Sequence, residues 1–271
     1  MTDYRTIDLA GMTPVEPVSQ PAPQLMWIAV ADLVIDDRYQ RPLNAGNIAA
    51  IRRIATDFRW ARFSPVLVAP VPGGRYALID GQHRAHAAAL CGIESIPAMV
   101  VLVAPEEQAL AFIQINTSQI RVGSHNLLRA ALSAGEPWAI ECRDRVAAAG
   151  CRLMTANWSQ NSKKPGMIFC VDAIRRLVDA GHGAAVTTGL DALLRYKPDA
   201  TANFHNALLV PYLAAVGECG GTADEWLAVL RHRNPWHIFE AADRWAETNG
   251  KPRAQTRKRF FMDAYRKGDW S

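Results

Sequence analysis

Tyr76-Ala77-Leu78-Ile79-Asp80-Gly81-Gln82-His83-Arg84-Ala85-His86-Ala87-Ala88-Ala89-Leu90 reads as a strand, a one-glycine turn and a helix that opens on polar and basic side chains. An apolar run delivers the chain to Gly81, whose missing Cβ permits a tight turn and close backbone approach to a ligand. The helix that follows begins with unpaired N–H groups at the positive end of its dipole, where an anion is stabilised. Arg84 adds a planar guanidinium suited to phosphate oxygens. The plain alternative is a turn glycine with Arg84 paired to a structural acid.

The flanks extend this pattern into a mixed α and β half. Trp27 to Val30 and Leu33 to Ile35 predict short strands, and Asp36 to Pro42 a polar loop. Asn44 is a candidate cap for a helix running to about Phe58, with Ile48, Ile51 and Ile54 on one face. Pro65-Val66-Leu67-Val68-Ala69-Pro70 is a buried strand between two prolines, and Pro72-Gly73-Gly74 a turn. Gly92 ends the helix after the glycine turn, and Ile96 to Val103 is another buried strand. Pro105-Glu106-Glu107 starts a helix reaching Asn116, because proline and acids suit a first turn.

Beyond about Arg121 helical patterns dominate: Asn126 to Ser133, Pro137 to Ala149, Met167 to Ala180, Gly183 to Tyr196, Asn203 to Val216, Ala223 to Leu230 and Pro235 to Glu247. The reading is therefore an α+β chain of 271 residues: a proline-rich arm over 1–24, an α/β domain over 25–122, and an all-α domain over 123–271. The five cysteines form no CxxC pair, and their number is odd. They read as reduced and mostly buried. The longest apolar run, Ile96 to Ala104, is far short of the roughly 18 residues that span a bilayer. No secretory pattern opens the chain, so a cytoplasmic protein with no membrane partner is expected.

Net charge is +4, but the window Lys251 to Lys267 holds seven basic residues against Asp263 alone and so carries +6, leaving about −2 elsewhere. The basic character is a property of the tail. Phe260, Phe261 and Tyr265 interleave with these charges, which predicts a helix docked by its apolar side with the basic side outward. Lys251, Arg253, Arg257, Lys258 and Arg259 are therefore candidate nucleic-acid contacts, against the ordinary alternative of a solvated helix face.

The order of features from Trp27 to about Val122 resembles the N-terminal domain shared by ParB partition proteins and sulfiredoxin. The matching pieces are Tyr39-Gln40-Arg41-Pro42, Pro65 to Val68, Ile79-Asp80-Gly81-Gln82-His83-Arg84, the alanine-rich helix to Leu90, Gly92 to Pro97, and Gln114-Ile115-Asn116. In ParB proteins the block corresponding to Gly81-Gln82-His83-Arg84-Ala85-His86 contacts nucleotide phosphates. The resemblance therefore implies phosphate or nucleotide binding by Gly81, Gln82, His83 and Arg84. Sulfiredoxin carries its catalytic cysteine where this chain has Gln82, so sulfinic acid reduction is not expected. The ParB block that helps hold magnesium and triphosphate corresponds loosely to Gln114-Ile115-Asn116, with Arg121 displaced by two positions. The helical half lacks the helix-turn-helix pattern that follows in ParB proteins, which argues against specific operator reading.

Roles follow with their alternatives. Asp80 and His83 are candidate catalytic residues: Asp80 either activates water or holds a cation, or else caps a helix, and a histidine can serve as general base near neutral pH. Arg41 reaches the same pocket or sits on the surface; Asn116 binds ligand or caps a helix end. His83 and His86 lie three apart, but no third residue is spaced to complete a metal site. Mg²⁺ is expected only together with nucleotide. The leading expectation is a ParB-like nucleotide-binding, DNA-associated protein, a candidate nucleoside triphosphatase and candidate homodimer; a nuclease and a non-catalytic interaction protein are the alternatives.

Overall fold

Val66 and Val68 are fully buried on one side of their strand, while Leu67 and Ala69 are buried on the other. This explains why the stretch between Pro65 and Pro70 has no polar position: both faces of the strand are covered, so period-two alternation disappears. A computed structural model describes residues 6–40, 42–118 and 122–267. The chain divides into two units, Met1–Ile120 and Arg121–Ser271.

In the first unit, residues 6–23 form no helix or strand. There follow β1 (Gln24–Ala29), β2 (Leu33–Val34), α1 (Ala45–Thr56), β3 (Val66–Val71), β4 (Arg75–Asp80), α2 (Gln82–Leu90), β5 (Ser95–Val100) and α3 (Pro105–Ser118). The strands form one mixed sheet in the order β1-β5-β3-β4-β2. β3 runs antiparallel to β4 and parallel to β5, while β1 closes one edge antiparallel to β5. On one face, Ala85 and Ala88 of α2 pack with Val66, Val68, Leu78 and Ile96. Alanine keeps that helix close to the sheet. On the other face, Leu67, Ala69 and Ile79 meet Ala111, Phe112 and Ile115 of α3.

Asn44 caps α1 as its sequence position suggests, its side chain accepting from the Asn47 amide at 3.0 Å. The strand expected to reach Val103 stops at Val100, which pairs with Gln24, the first residue of β1, and is the last residue of β5 paired with β3.

The second unit contains α4 (Ser124–Ser133), α5 (Pro137–Ala147), β6 (Arg152–Leu153), β7 (Met167–Ile168), α6 (Val171–Asp179), α7 (Gly183–Tyr196), α8 (Asn206–Cys219), α9 (Ala223–His232), α10 (Pro235–Thr248) and α11 (Arg253–Arg266). It is helical apart from the two short strands, which correct the all-α expectation locally. Met167 and Ile168 pair in parallel with Arg152 and Leu153 instead of opening a helix. The Arg152 amide donates to the Gly166 carbonyl at 2.8 Å and the Met154 amide to Ile168 at 2.9 Å, so this segment is drawn extended by a partner fifteen residues earlier. Asn203 likewise lies in a 3-10 turn, Thr201–Phe204, and α8 begins only at Asn206.

The core of this unit gathers Leu128, Ile174, Leu193, Tyr212, Trp226 and Phe261. Cys142, Cys151 and Cys170 are buried within it, while Cys91 of the first unit is exposed. Burial pushes the Cys142 and Cys151 thiols up to about 11 and Cys170 to about 12, so these three are inert as nucleophiles near neutrality. Among the described residues no helix is long and apolar enough to cross a membrane.

Candidate functional site

Gly81 adopts φ +101° and caps α2 without a side chain of its own. Its carbonyl accepts the first helical bond, from Ala85 N at 2.9 Å. The amides of the first helical turn, starting at Gln82, have no intrahelical acceptor. The turn is forced by space as well as conformation, since a Cβ at Gly81 would lie 2.6 Å from Val66 Cγ1 and 3.0 Å from Arg84 Nη2. Val66 is fully buried and cannot yield.

A cavity of about 270 Å³ opens at this turn. Asp80, Gly81, Gln82, His83 and Arg84 supply one wall, and Gln40, Asn47, Phe112 and Asn116 close the others. Of the residues expected from sequence, all but Arg41 of the phosphate set are thus brought together. Arg41 lies outside the described residues.

Arg84 is held from two sides. Its Nη2 donates to Asp80 Oδ2 at 3.2 Å and to the Pro65 carbonyl at 3.4 Å, with both charged side chains about a quarter exposed. The structural acid of the plain reading is therefore Asp80 itself. The pairing leaves the guanidinium in the cavity wall rather than withdrawing it. Arg84 Nε is buried and has no acceptor among the described residues. An unmatched buried N–H costs about 1–3 kcal/mol.

Residues that the sequence reading did not assign to the pocket complete it. Gln40, 7% exposed, donates from Nε2 to the carbonyls of Leu78 at 2.9 Å and Ile79 at 3.0 Å, which fixes the end of β4 just before the turn. The Tyr39 hydroxyl reaches the same Leu78 carbonyl at 3.3 Å, and burial raises its pKa. Its ring packs 5.7 Å from Phe112. Asn47 donates to the Pro42 carbonyl at 3.3 Å, and Asn116 Nδ2 to the Phe112 carbonyl at 2.8 Å. His83 lines the cavity, whereas His86 Nδ1 sits 2.7 Å from the Gln82 carbonyl on its own helix. Among the described residues no three His, Cys, Asp or Glu side chains gather as a metal site.

The basic tail is present as α11, but most of its cations have acid partners. Arg257 makes a two-pronged pair with Asp243 of α10, Nε to Oδ1 and Nη2 to Oδ2 each at 2.7 Å. Its guanidinium lies 4.0 Å above the Phe239 ring. Lys258 pairs with Glu218 of α8 and Arg253 with Glu247 at 3.7 Å. Arg259 sits 4.1 Å over Trp245 and 3.9 Å from Asp263. Lys251 is exposed. The Arg257 carboxylate partner has its pKa lowered by the bidentate bond, so the pair contributes above the ordinary carboxylate range and is lost as pH falls through the depressed value. Arg257→Gln is expected to cost the fold about 2 kcal/mol at neutral pH through lost charged hydrogen bonds and ring contact. Urea titration checks this; the deficit should shrink at a pH below the depressed Asp243 value, where wild type loses the pair too.

Comparison with known proteins places these observations. Residues 51–117 match the model of the ParB N-terminal domain. That span runs from within α1 to the end of α3 and contains the whole glycine turn. No curated protein matches the chain. Among solved structures, the C-terminally truncated ParB of Caulobacter crescentus in complex with CTP-gamma-S is similar at 16% identity over 79% of this chain and 96% of that one, TM-score 0.35. The same protein complexed to the centromeric parS site gives 14% identity over 76% and 99%, TM-score 0.29. A Pnob8-like ParB-N domain gives 12% over 90% and 95%, also 0.29. Residues 51–117 are thus ParB-like and bring Asp80-Gly81-Gln82-His83-Arg84, Phe112 and Asn116 to the cavity, while Gln40 and Asn47 come from outside the matched span.

Proposed function

We propose that the first unit binds a nucleoside phosphate, with its phosphates on the amides that follow Gly81 and on Arg84, and that it does so as part of a DNA-associated protein. The observation that carries this reading is the uncapped start of α2 opening, beside a buried and unmatched Arg84 Nε, into a cavity of about 270 Å³. That volume lies just below the range of about 300–1,000 Å³ usual for ligand pockets. It suits the phosphate end of a nucleotide, with the nucleoside projecting beyond.

Magnesium enters this reading only with the phosphates. Asp80 and Asn116 offer hard oxygen donors, too few for a protein cage, which fits an ion that takes its remaining ligands from phosphate and water. Such an ion would neutralise charge on the phosphates. Hydrolysis, if it accompanies binding, would use His83 or Asp80 to orient water, with Arg84 opposing developing charge. A homodimer and DNA contact through the exposed tail cations Lys251, Arg253 and Arg259 complete the proposal.

Thermal denaturation with a panel of nucleoside mono-, di- and triphosphates, with and without Mg²⁺, tests it. At least one nucleotide is expected to raise the melting temperature, with the rise lost in Arg84→Met, which keeps the aliphatic stem but not the charge. An unchanged rise in that variant, or no rise with any nucleotide, overturns the reading.

A further inference from the structure

Arg84 also lines a second cavity, of about 510 Å³. Four of its lining residues are arginines, Arg53, Arg59, Arg62 and Arg84, against one acid, Asp57. The local sequence explains the concentration: Arg52-Arg53-Ile54-Ala55-Thr56-Asp57-Phe58-Arg59-Trp60-Ala61-Arg62 carries four arginines in eleven residues. Arg53 sits in the last turn of α1, Asp57 at its end, and Arg59 immediately before the 3-10 turn Trp60–Arg62. Asp57 is shared by Arg59, at 3.0 Å, and by Arg62, and both arginines remain more than 60% exposed. One carboxylate between two exposed guanidinium groups leaves the cleft strongly positive.

The same cleft is edged by aromatic rings. Phe58 and Phe63 line it, and both contact Trp60 edge-on, at 5.1 and 5.5 Å. Trp60 in turn meets Trp27 of the edge strand β1 at 5.5 Å. Phe63 is buried and anchors the group in the core beneath the sheet, whereas Trp60 and Trp27 are 49% and 64% exposed. Covering the core needs only one side of these indoles. Their outer surface is a large apolar area left in water beside a cationic channel.

We infer that this face, Arg53, Arg59 and Arg62 with the Trp27–Trp60 pair, binds single-stranded nucleic acid, the arginines tracking phosphates and the indoles stacking bases. Cations in a groove interleaved with exposed aromatic rings are the general means of holding single strands without regard to sequence. A duplex keeps its bases stacked and offers no ring faces to the indoles, so the aromatic part is selective for single strands. The inference adds a single-strand site on the first unit to the DNA association proposed above, and rests on that association. It differs from the tail, where Arg253, Arg257 and Lys258 each have an acid of their own on a neighbouring helix.

Fluorescence anisotropy of a labelled oligothymidylate about 16 nucleotides long, titrated with the full chain over a range of salt, tests this. The double variant Arg53→Gln/Arg62→Gln is expected to weaken binding at least tenfold and to lower the salt slope by about 1.4, since each cation contributes about 0.7 on a single strand. Trp60→Ala is expected to weaken it about tenfold or more with the slope unchanged. Asp57→Asn is expected to strengthen it, a gain that damage to the fold would not produce. The nucleotide-induced rise in melting temperature should persist in all three, because Arg84 is untouched. Wild-type binding that is lost on Lys251→Gln/Arg253→Gln but not on the arginine double variant sinks this inference and leaves DNA association standing. No binding of any oligonucleotide, or equal affinity for a duplex of the same length, overturns it as well.

Discussion

Gly81→Ala is expected to cost the first unit about 3 kcal/mol and to remove nucleotide-induced stabilisation at once. Two physical terms add. A side chain at φ +101° lies beyond the left-handed region that non-glycine residues tolerate, which costs roughly 1–2 kcal/mol. The new Cβ also meets Val66 Cγ1 at 2.6 Å, and forcing a methyl into a packed core costs roughly 1–3 kcal/mol more. Because Val66 belongs to the central strand β3, relief must come from the turn, which swings the first amides of α2 and the Arg84 guanidinium off the cavity. Urea titration reads the stability term, and the nucleotide thermal shift reads the binding term. The steric part is separable: Val66→Ala removes the offending methyl, so the double variant should be less destabilised than the two singles combined. Strict additivity of the two changes would show that Gly81 is required for conformation alone.

The glycine turn was legible in the sequence because its necessity resides in one residue and its immediate neighbours: strand, glycine and basic helix start are contiguous. The remaining walls were not. Gln40, Asn47 and Phe112 come from a loop, α1 and α3 at sequence separations that no local pattern encodes. Only the sheet, with α2 packed on one face and α3 on the other, brings residues of both helices to the lining of one cavity. The tail shows the converse limit. Seven cations are easily counted along a segment, but Asp243 and Glu218, which answer Arg257 and Lys258, lie on other helices and are invisible until the chain folds. The arginines of 52–62 escaped notice for a related reason: they are spread over a helix end and a 3-10 turn and converge only where the chain reverses before β3. The two-residue pairing of Met167–Ile168 with Arg152–Leu153 is likewise a tertiary decision, taken against a helical local pattern.

Trp226→Ala should be the most damaging substitution in the second unit, at about 4 kcal/mol, within the range for truncating a fully buried indole. Trp226 is fully buried and stacks on Tyr265 with centroids 4.5 Å apart and planes 18° from parallel. Its edge meets Tyr212 at 5.5 Å and 90°, and Tyr212 in turn meets Phe261 at 5.5 Å. The indole N–H donates to the Gly220 carbonyl at 2.8 Å, at the end of α8. Truncation therefore opens a cavity among α8, α9 and α11, strips the stacking partner from Tyr265 and leaves the Gly220 carbonyl without its donor. The Tyr265 hydroxyl also donates to Glu225 Oε2 at 3.1 Å, within the capping box that starts α9. Loosening Tyr265 thus frays the helix start as well as the core. Trp226→Phe separates the contributions: it keeps a ring against Tyr212 and Tyr265 and loses the hydrogen bond and part of the volume, so about 1–2 kcal/mol is expected. If denaturant titrations gave the alanine variant no more than the phenylalanine one, the ring cluster would not be what holds these helices together, and the weight would fall on the aliphatic contacts of α7 and α8 around Leu190, Leu193 and Leu213.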